Sequence, residues 1–156
     1  MTVDVAVTGA GGQLGRALVA AGAARGLTVA AAGSAEVPVE DAERVAAWLK
    51  SVAPRAVIHG GAWTDVDGCE KDPVRAQRVN ADGTANVAQA CAARGIKLAY
   101  VSTDFVFDGT ATRPYLPDAS TAPLSEYGRS KLGGEQAVLA AGRPDFYVVR
   151  TSWVFG

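Results

Sequence analysis

Short β-branched runs alternate with helical stretches along the whole chain. Val3 to Val7 is apolar except for Asp4 and stops abruptly at Thr8 and a glycine cluster, the pattern of a buried parallel strand. Gln13 to about Arg25 carries Leu14, Leu18 and Ala21 at helical spacing and closes on Gly26, which predicts a first helix. Leu27 to Ala31 reads as a second strand. After the Gly33-Ser34 break, Asp41 to Val52 places Val45, Trp48, Leu49 and Val52 on one helical face, and Pro54 ends it. Ala56 to His59 is a third strand, Val74 to about Arg94 a long helix closed by Gly95, and Lys97 to Ser102 a fourth strand. Residues 108–123 hold Pro114, Pro117 and Pro123 among small polar residues and read as a loop. Ser125 to about Ala141 is a further helix and Phe146 to Arg150 a further strand.

Strands alternating with helices at this spacing predict right-handed crossovers and an α/β, doubly wound parallel sheet covered on both faces. Ligands in such sheets bind at the carboxyl ends of the strands, so the residues just after each strand carry the candidate chemistry. With 156 residues the chain holds one domain, and 18 glycines suit tight turns and helices packed close to a sheet. A net charge of -1 argues against a nucleic acid or anionic membrane held by bulk electrostatics. No apolar run reaches the ~18 residues a bilayer span needs, and the N-terminus lacks the pattern of a secretion signal, so a cytoplasmic protein is expected. Cys69, Cys91 and the single His59 do not make a disulfide framework or a structural zinc site, and no metal site is expected from them.

Between the first strand and the first helix, Thr8-Gly9-Ala10-Gly11-Gly12-Gln13-Leu14-Gly15 spaces glycines at 9, 12 and 15. Gly9 suits the tight turn, Gly12 the approach of backbone N–H groups to a pyrophosphate, and Gly15 close packing of helix on strand. With Gln13 and Leu14 opening the helix, this is a candidate dinucleotide loop of Rossmann type; a Lys-Ser/Thr ending is absent, so it is not a Walker loop. The acidic residue that usually follows about 20 positions on, and that binds ribose hydroxyls, is not found in Ala30-Ala31-Ala32-Gly33-Ser34. Ser34 or Arg16 can instead contact a 2′-phosphate, which tilts the choice between NADPH and NADH towards NADPH.

Tyr127-Gly128-Arg129-Ser130-Lys131 puts a phenol and an ammonium on one helical face. A tyrosine of ordinary pKa ~10 exchanges protons poorly at neutral pH until a cation lowers it, and Lys131 can serve. Thr103, just past the fourth strand, can donate to a substrate oxygen on which charge develops. Thr103, Tyr127 and Lys131 are therefore the candidate catalytic set.

These strings, with Thr64 to Glu70, Val79-Asn80-Ala81-Asp82-Gly83-Thr84, Ser102-Thr103-Asp104-Phe105-Val106-Phe107-Asp108-Gly109 and Arg150-Thr151-Ser152-Trp153-Val154-Phe155-Gly156, resemble the extended short-chain dehydrogenase/reductases. Within them the chain is similar to the dTDP-4-dehydrorhamnose reductase group. That resemblance implies hydride delivery from a nicotinamide dinucleotide, NADPH or NADH, to C4 of a dTDP-4-keto-6-deoxy sugar, with Tyr127 protonating the new alkoxide. It implies cofactor contacts at Tyr127 and Lys131 and at the small residues Gly60, Gly61 and Ala62. Asp104 would lie by the substrate and Trp153 in the sugar pocket. A sugar-nucleotide partner follows, and a homodimer is compatible. Members of the superfamily that are dehydratases place a glutamate where Phe105 stands, so reduction is preferred over dehydration or epimerisation. A non-catalytic, nucleotide-sensing subunit is the alternative from another class.

His59 stands where relatives carry Asn, and as a lone histidine at a strand end it reads as structural. Pro38 stands where relatives carry an acidic residue that reaches the adenine. Trp48 is expected in the core and Trp63 on the nicotinamide side, while Cys69 and Cys91 are expected to pack as small hydrophobes. Relatives of roughly double length carry a second domain for the sugar, so residues 1–156 are expected to be the NAD(P)-binding domain alone, a fragment stopping inside a motif. Such a chain is expected to bind a dinucleotide and to turn over substrate poorly.

Overall fold

The computed structural model describes residues 2–155; Met1 and Gly156, which ends the Arg150 to Gly156 string, lie outside the described residues. Five strands, β1 Val5–Thr8, β2 Val29–Ala32, β3 Ala56–His59, β4 Lys97–Thr103 and β5 Phe146–Thr151, form one sheet in the order β2-β1-β3-β4-β5. Every pairing is parallel, so the doubly wound layout read from the alternation is the one observed. Chain order reverses direction between β1 and β3. A crevice opens at the carboxyl ends of strands at such a switch.

The helices are α1 Gln13–Ala24, α2 Ala42–Val52, α3 Val66–Lys71, α4 Pro73–Ala76, α5 Gly83–Ala92 and α6 Glu126–Ala140. Asp41, Asp65, Asp72 and Ser125 each accept a hydrogen bond from a backbone N–H three residues on, which fixes the starts of α2, α3, α4 and α6. The main core lies between the sheet (Ala6, Val57, Leu98, Tyr100) and Val45 and Leu49 of α2, Val87 and Cys91 of α5 and Val138 of α6. Trp48 packs against it. Cover on both faces holds at β1, where α1 packs. It does not hold along β5, whose Tyr147 and Val149 are exposed while Phe146 and Val148 meet the core.

The stretch predicted as one helix from Val74 begins at Pro73 and is interrupted by a π-helical segment, Gln77–Asp82, between α4 and α5. The cause is tertiary. Asn80 in that segment is fully buried; its Oδ1 accepts from Trp63 N at 2.7 Å, and its Nδ2 donates to Trp63 O and Ser130 Oγ, both at 3.0 Å. These bonds pull one residue out of the α-helical repeat, as π-bulges near functional sites commonly do.

Candidate functional site

The glycine loop closes the end of β1 through contacts that only glycine allows. Gly9 has φ +70, and a Cβ there would meet the backbone of Gly60 and Gly61 at 2.7–2.8 Å. A Cβ on Gly15 would overlap the Gly9 carbonyl oxygen. The loop after β1 therefore lies directly on the loop after β3, with the start of α1 above both. Gly12 caps α1 without a side-chain hydrogen bond, and the N-terminal end of the helix, where an anion is favoured, points to the loop.

These segments line one cleft of about 550 Å³. It gathers Gly9, Gly12, Gln13, Leu14, Gly15, Ser34, Gly60, Gly61 and Ala62 at one end, with Thr103, Asp104, Tyr127, Lys131 and Trp153 at the other. Gly11, Thr64, Val66, Val101, Ser102, Phe105, Thr151 and Val154 complete the wall. The shape suits a dinucleotide: a backbone cradle that a Cβ would fill, at a helix N-terminus, running towards a tyrosine and a lysine.

Tyr127 is nearly buried, its ring edge-on to Phe105 with centroids 5.5 Å apart and packed with Cys69 and Ala76. A Cβ on Gly128 would overlap the Phe105 carbonyl oxygen, so that glycine is what brings α6 down to the end of β4. Burial raises the Tyr127 phenol above its ordinary value, and a hydrogen bond with the Thr103 side chain acts in the opposite direction. The Thr103 hydroxyl donates to Asp104 Oδ1 at 3.2 Å and accepts from Phe105 N. Asp104 Oδ2 accepts from Ser152 Oγ at 2.7 Å.

Lys131 differs from the simple picture of an ammonium aimed at the phenol. Its Nζ donates to Val101 O at 2.8 Å and sits 4.3 Å from the centroid of the Tyr100 ring. Burial lowers its pKa to about 7, with the Glu135 carboxylate opposing the fall. The amine is thus within range of gaining or losing its proton at neutral pH.

His59 is structural. Fully buried, it makes a 2.6 Å hydrogen bond between Nδ1 and Thr8 Oγ1 and a 3.1 Å bond between Nε2 and Thr84 Oγ1, and it stacks on Tyr100. Desolvation first, and then Lys131, push its pKa down to about 3, which keeps the ring neutral. Both cysteines are buried and burial raises both thiols, Cys91 to about 12. Trp63 is not on the cleft wall as expected; it packs against the Cys69–Tyr127 cluster under the Arg75 guanidinium, 4.3 Å away, because Asn80 holds its backbone at both polar atoms.

A carboxylate does stand beyond β2: Glu36 turns back and its Oε2 accepts from Gly33 N at 2.7 Å. On the other side of the rim Arg16 Nη1 donates to Gly11 O at 2.7 Å. Charges of both signs therefore flank the end of the cleft where Ser34 lies. Pro38 falls in a segment whose neighbours Val37 and Val39 are buried in the core, so this stretch packs the domain and leaves the rim chemistry to residues 33–36.

The sheet order, the glycine cradle and the buried tyrosine–lysine pair are those of the extended short-chain dehydrogenase/reductase class. Residues 3–156 match the family described as RmlD substrate binding domain, and the chain belongs to that family. It is 46% identical over 157 residues to the dTDP-4-dehydrorhamnose reductase of Mycolicibacterium smegmatis, an alignment covering 99% of this chain and 47% of that protein. The crystal structure of the Bacillus anthracis dTDP-4-dehydrorhamnose reductase, solved with NADP, superposes with a TM-score of 0.94 at 35% identity, covering 100% of this chain and 55% of that one. The Clostridium acetobutylicum orthologue gives 0.93 at 35% identity, covering 98% and 54%. The chain spans about half the length of the curated relatives it matches. Among the described residues, no helix is long and apolar enough to cross a membrane.

Proposed function

We propose that residues 1–156 form the dinucleotide-binding domain of a reductase that acts on the 4-keto group of a dTDP-4-keto-6-deoxy sugar, in dTDP-rhamnose biosynthesis. The observation that carries this reading is the single cleft that runs from the glycine cradle to Thr103, Tyr127 and Lys131. A bound nicotinamide dinucleotide supplies the hydride. The α1 N-terminus and the backbone of Gly11 receive the pyrophosphate, and the loop of Gly60, Gly61 and Ala62 floors the cleft. Thr103 orients the keto oxygen by hydrogen bonding, and Tyr127 gives its phenolic proton to that oxygen as charge develops on it. Lys131, protonated, stabilises the resulting phenolate and holds a ribose. Asp104 and Trp153, which both line the cleft, would contact the sugar.

The test uses the protein encoded by the complete reading frame, with dTDP-4-keto-6-deoxy-L-mannose and NADPH, followed at the reduced-nicotinamide absorbance. Substrate-dependent oxidation is expected; none at all refutes the reading. The 156-residue chain is expected to quench NADPH or NADH fluorescence with little or no turnover.

Cofactor choice rests on the rim. Ser34 and Arg16 favour a 2′-phosphate, whereas the Glu36 carboxylate repels it and accepts from a free 2′-hydroxyl. Glu36→Gln is expected to raise the ratio of NADPH to NADH affinity about fivefold, the scale of one partly screened charge. Direct titration of both dinucleotides checks this, and an unchanged ratio removes Glu36 from the recognition.

A further inference from the structure

Glu135 is almost completely buried, and nothing in the glycine loop or the Thr103–Tyr127–Lys131 set accounts for it. Its Oε1 accepts from Ser102 Oγ at 2.6 Å and from Arg150 Nε at 2.9 Å, and its Oε2 accepts from Arg150 Nη2 at 2.6 Å. Arg150 reaches further. Its Nη1 donates to Pro117 O at 3.1 Å, and its guanidinium lies 4.9 Å from the centre of the Phe107 ring. One carboxylate on α6 thereby ties together β4, β5 and the long loop after β4. Burying the Glu135 carboxylate costs on the order of several kcal/mol in desolvation, which Arg150, itself 23% exposed, offsets in part, so packing alone does not explain it.

Its position gives the reason. Ser102 immediately precedes Thr103, and Glu135 follows Lys131 by one helical turn, as Lys131 follows Tyr127. The groups facing the Lys131 amine are His59 on β3, Tyr100 on β4 and Glu135 on α6, with Arg150 on β5 behind Glu135; Tyr127 stands one helical turn before Lys131. His59 is neutral, and burial raises both phenols, which leaves them neutral too. Glu135 supplies the negative charge.

We propose that Glu135, locked in place by Arg150 and Ser102, is a positioning residue of this site: it sets the register of α6 on β4 and favours the protonated form of the buried Lys131 amine. The role of that ammonium rests on the reductase reading above; the charge on it does not. Burial alone drives the amine towards neutrality, and an uncharged Lys131 would neither stabilise a Tyr127 phenolate nor hold its place over the Tyr100 ring.

The test is a pH titration of the protein from the complete reading frame, labelled with 13C at lysine Cε. Lys131→Met assigns the Lys131 resonance. In Glu135→Gln the Lys131 midpoint is expected to fall, with at least about a tenfold rise in its proton dissociation constant. The double variant Glu135→Gln with Arg150→Met, which strands no charge, is expected to move it the same way by less. A merely loosened fold admits water and raises the midpoint towards the ordinary lysine value. A rise or no change in both variants therefore overturns the proposal, as does failure of both to fold, which would leave the pair a structural clamp. A midpoint that falls as stated in a protein without reductase activity refutes the reductase reading and leaves this one standing. An unmoved midpoint in an active enzyme does the reverse.

Discussion

Tyr127→Phe in the protein from the complete reading frame is expected to lower kcat by about 10²–10⁴-fold, the range for loss of a positioned general acid. Dinucleotide affinity should stay within about twofold of the parent. The asymmetry follows from what each atom touches. The phenyl ring packs against Cys69 and Ala76 and meets Phe105 edge-on, contacts that phenylalanine keeps. Only the hydroxyl is lost, with its hydrogen bond to the Thr103 side chain. Burial holds that phenol above its ordinary pKa, so at neutral pH Tyr127 carries its proton. A protonated acid beside a forming alkoxide is what reduction requires, whereas oxidation of the alcohol requires the phenolate first. The reductive direction should therefore be the less pH-sensitive of the two near neutrality. Steady-state rates with fluorescence titration of the cofactor separate the two effects. Near-normal turnover in the variant would assign proton donation to another group.

What the sequence disclosed and what it hid divide along physical lines. Glycines at 9, 12 and 15 were legible because a tight turn and close helix–strand packing are local demands with a fixed spacing. The Tyr127–Lys131 pair was legible because one helical turn separates the two side chains. Strand and helix limits mostly fell within two residues of their expected places, and Ala56–His59 has the bounds read from the sequence. Long-range pairings left no such trace. Asn80 distorts its helix because Trp63 and Ser130 hold its amide, and neither lies within the window over which helical periodicity is read. Glu135 and Arg150 are 15 residues apart on different elements, and each looks like an ordinary surface charge until the sheet brings them together. Glu36 was overlooked because a tight turn, and not distance along the strand, returns its carboxylate to Gly33. Helix α3 is too short, at 6 residues, to show a hydrophobic period.

Gly15→Ala provides the other large expected effect, and it isolates the cradle from the chemistry. Helix propensity alone would favour alanine by about 1 kcal/mol at a helical position. The geometry outweighs that gain. An added Cβ overlaps the Gly9 carbonyl oxygen and comes within 2.6 Å of Ala10 Cα and 2.9 Å of Ala10 C. All of these are backbone atoms, so no side chain can turn away, and either the loop or α1 must move. Gly9 cannot absorb the shift, because it already rests on the backbone of Gly60 and Gly61. Overpacking of this kind costs about 1–3 kcal/mol, which lowers Tm by roughly 3–10 °C for a domain of this size. The loop N–H groups would also leave the position an anion requires, so dinucleotide affinity should fall by about 10²-fold, equivalent to about 3 kcal/mol. Two neighbours make the controls. Gly11 has open space where a Cβ would stand, so Gly11→Ala should leave Tm unchanged. Gly26 closes α1 with φ +71 far from the cleft, so Gly26→Ala should lower Tm while leaving dinucleotide affinity intact. If Gly15→Ala bound the dinucleotide as tightly as the parent, the anion site would have to lie elsewhere than between the first strand and its helix.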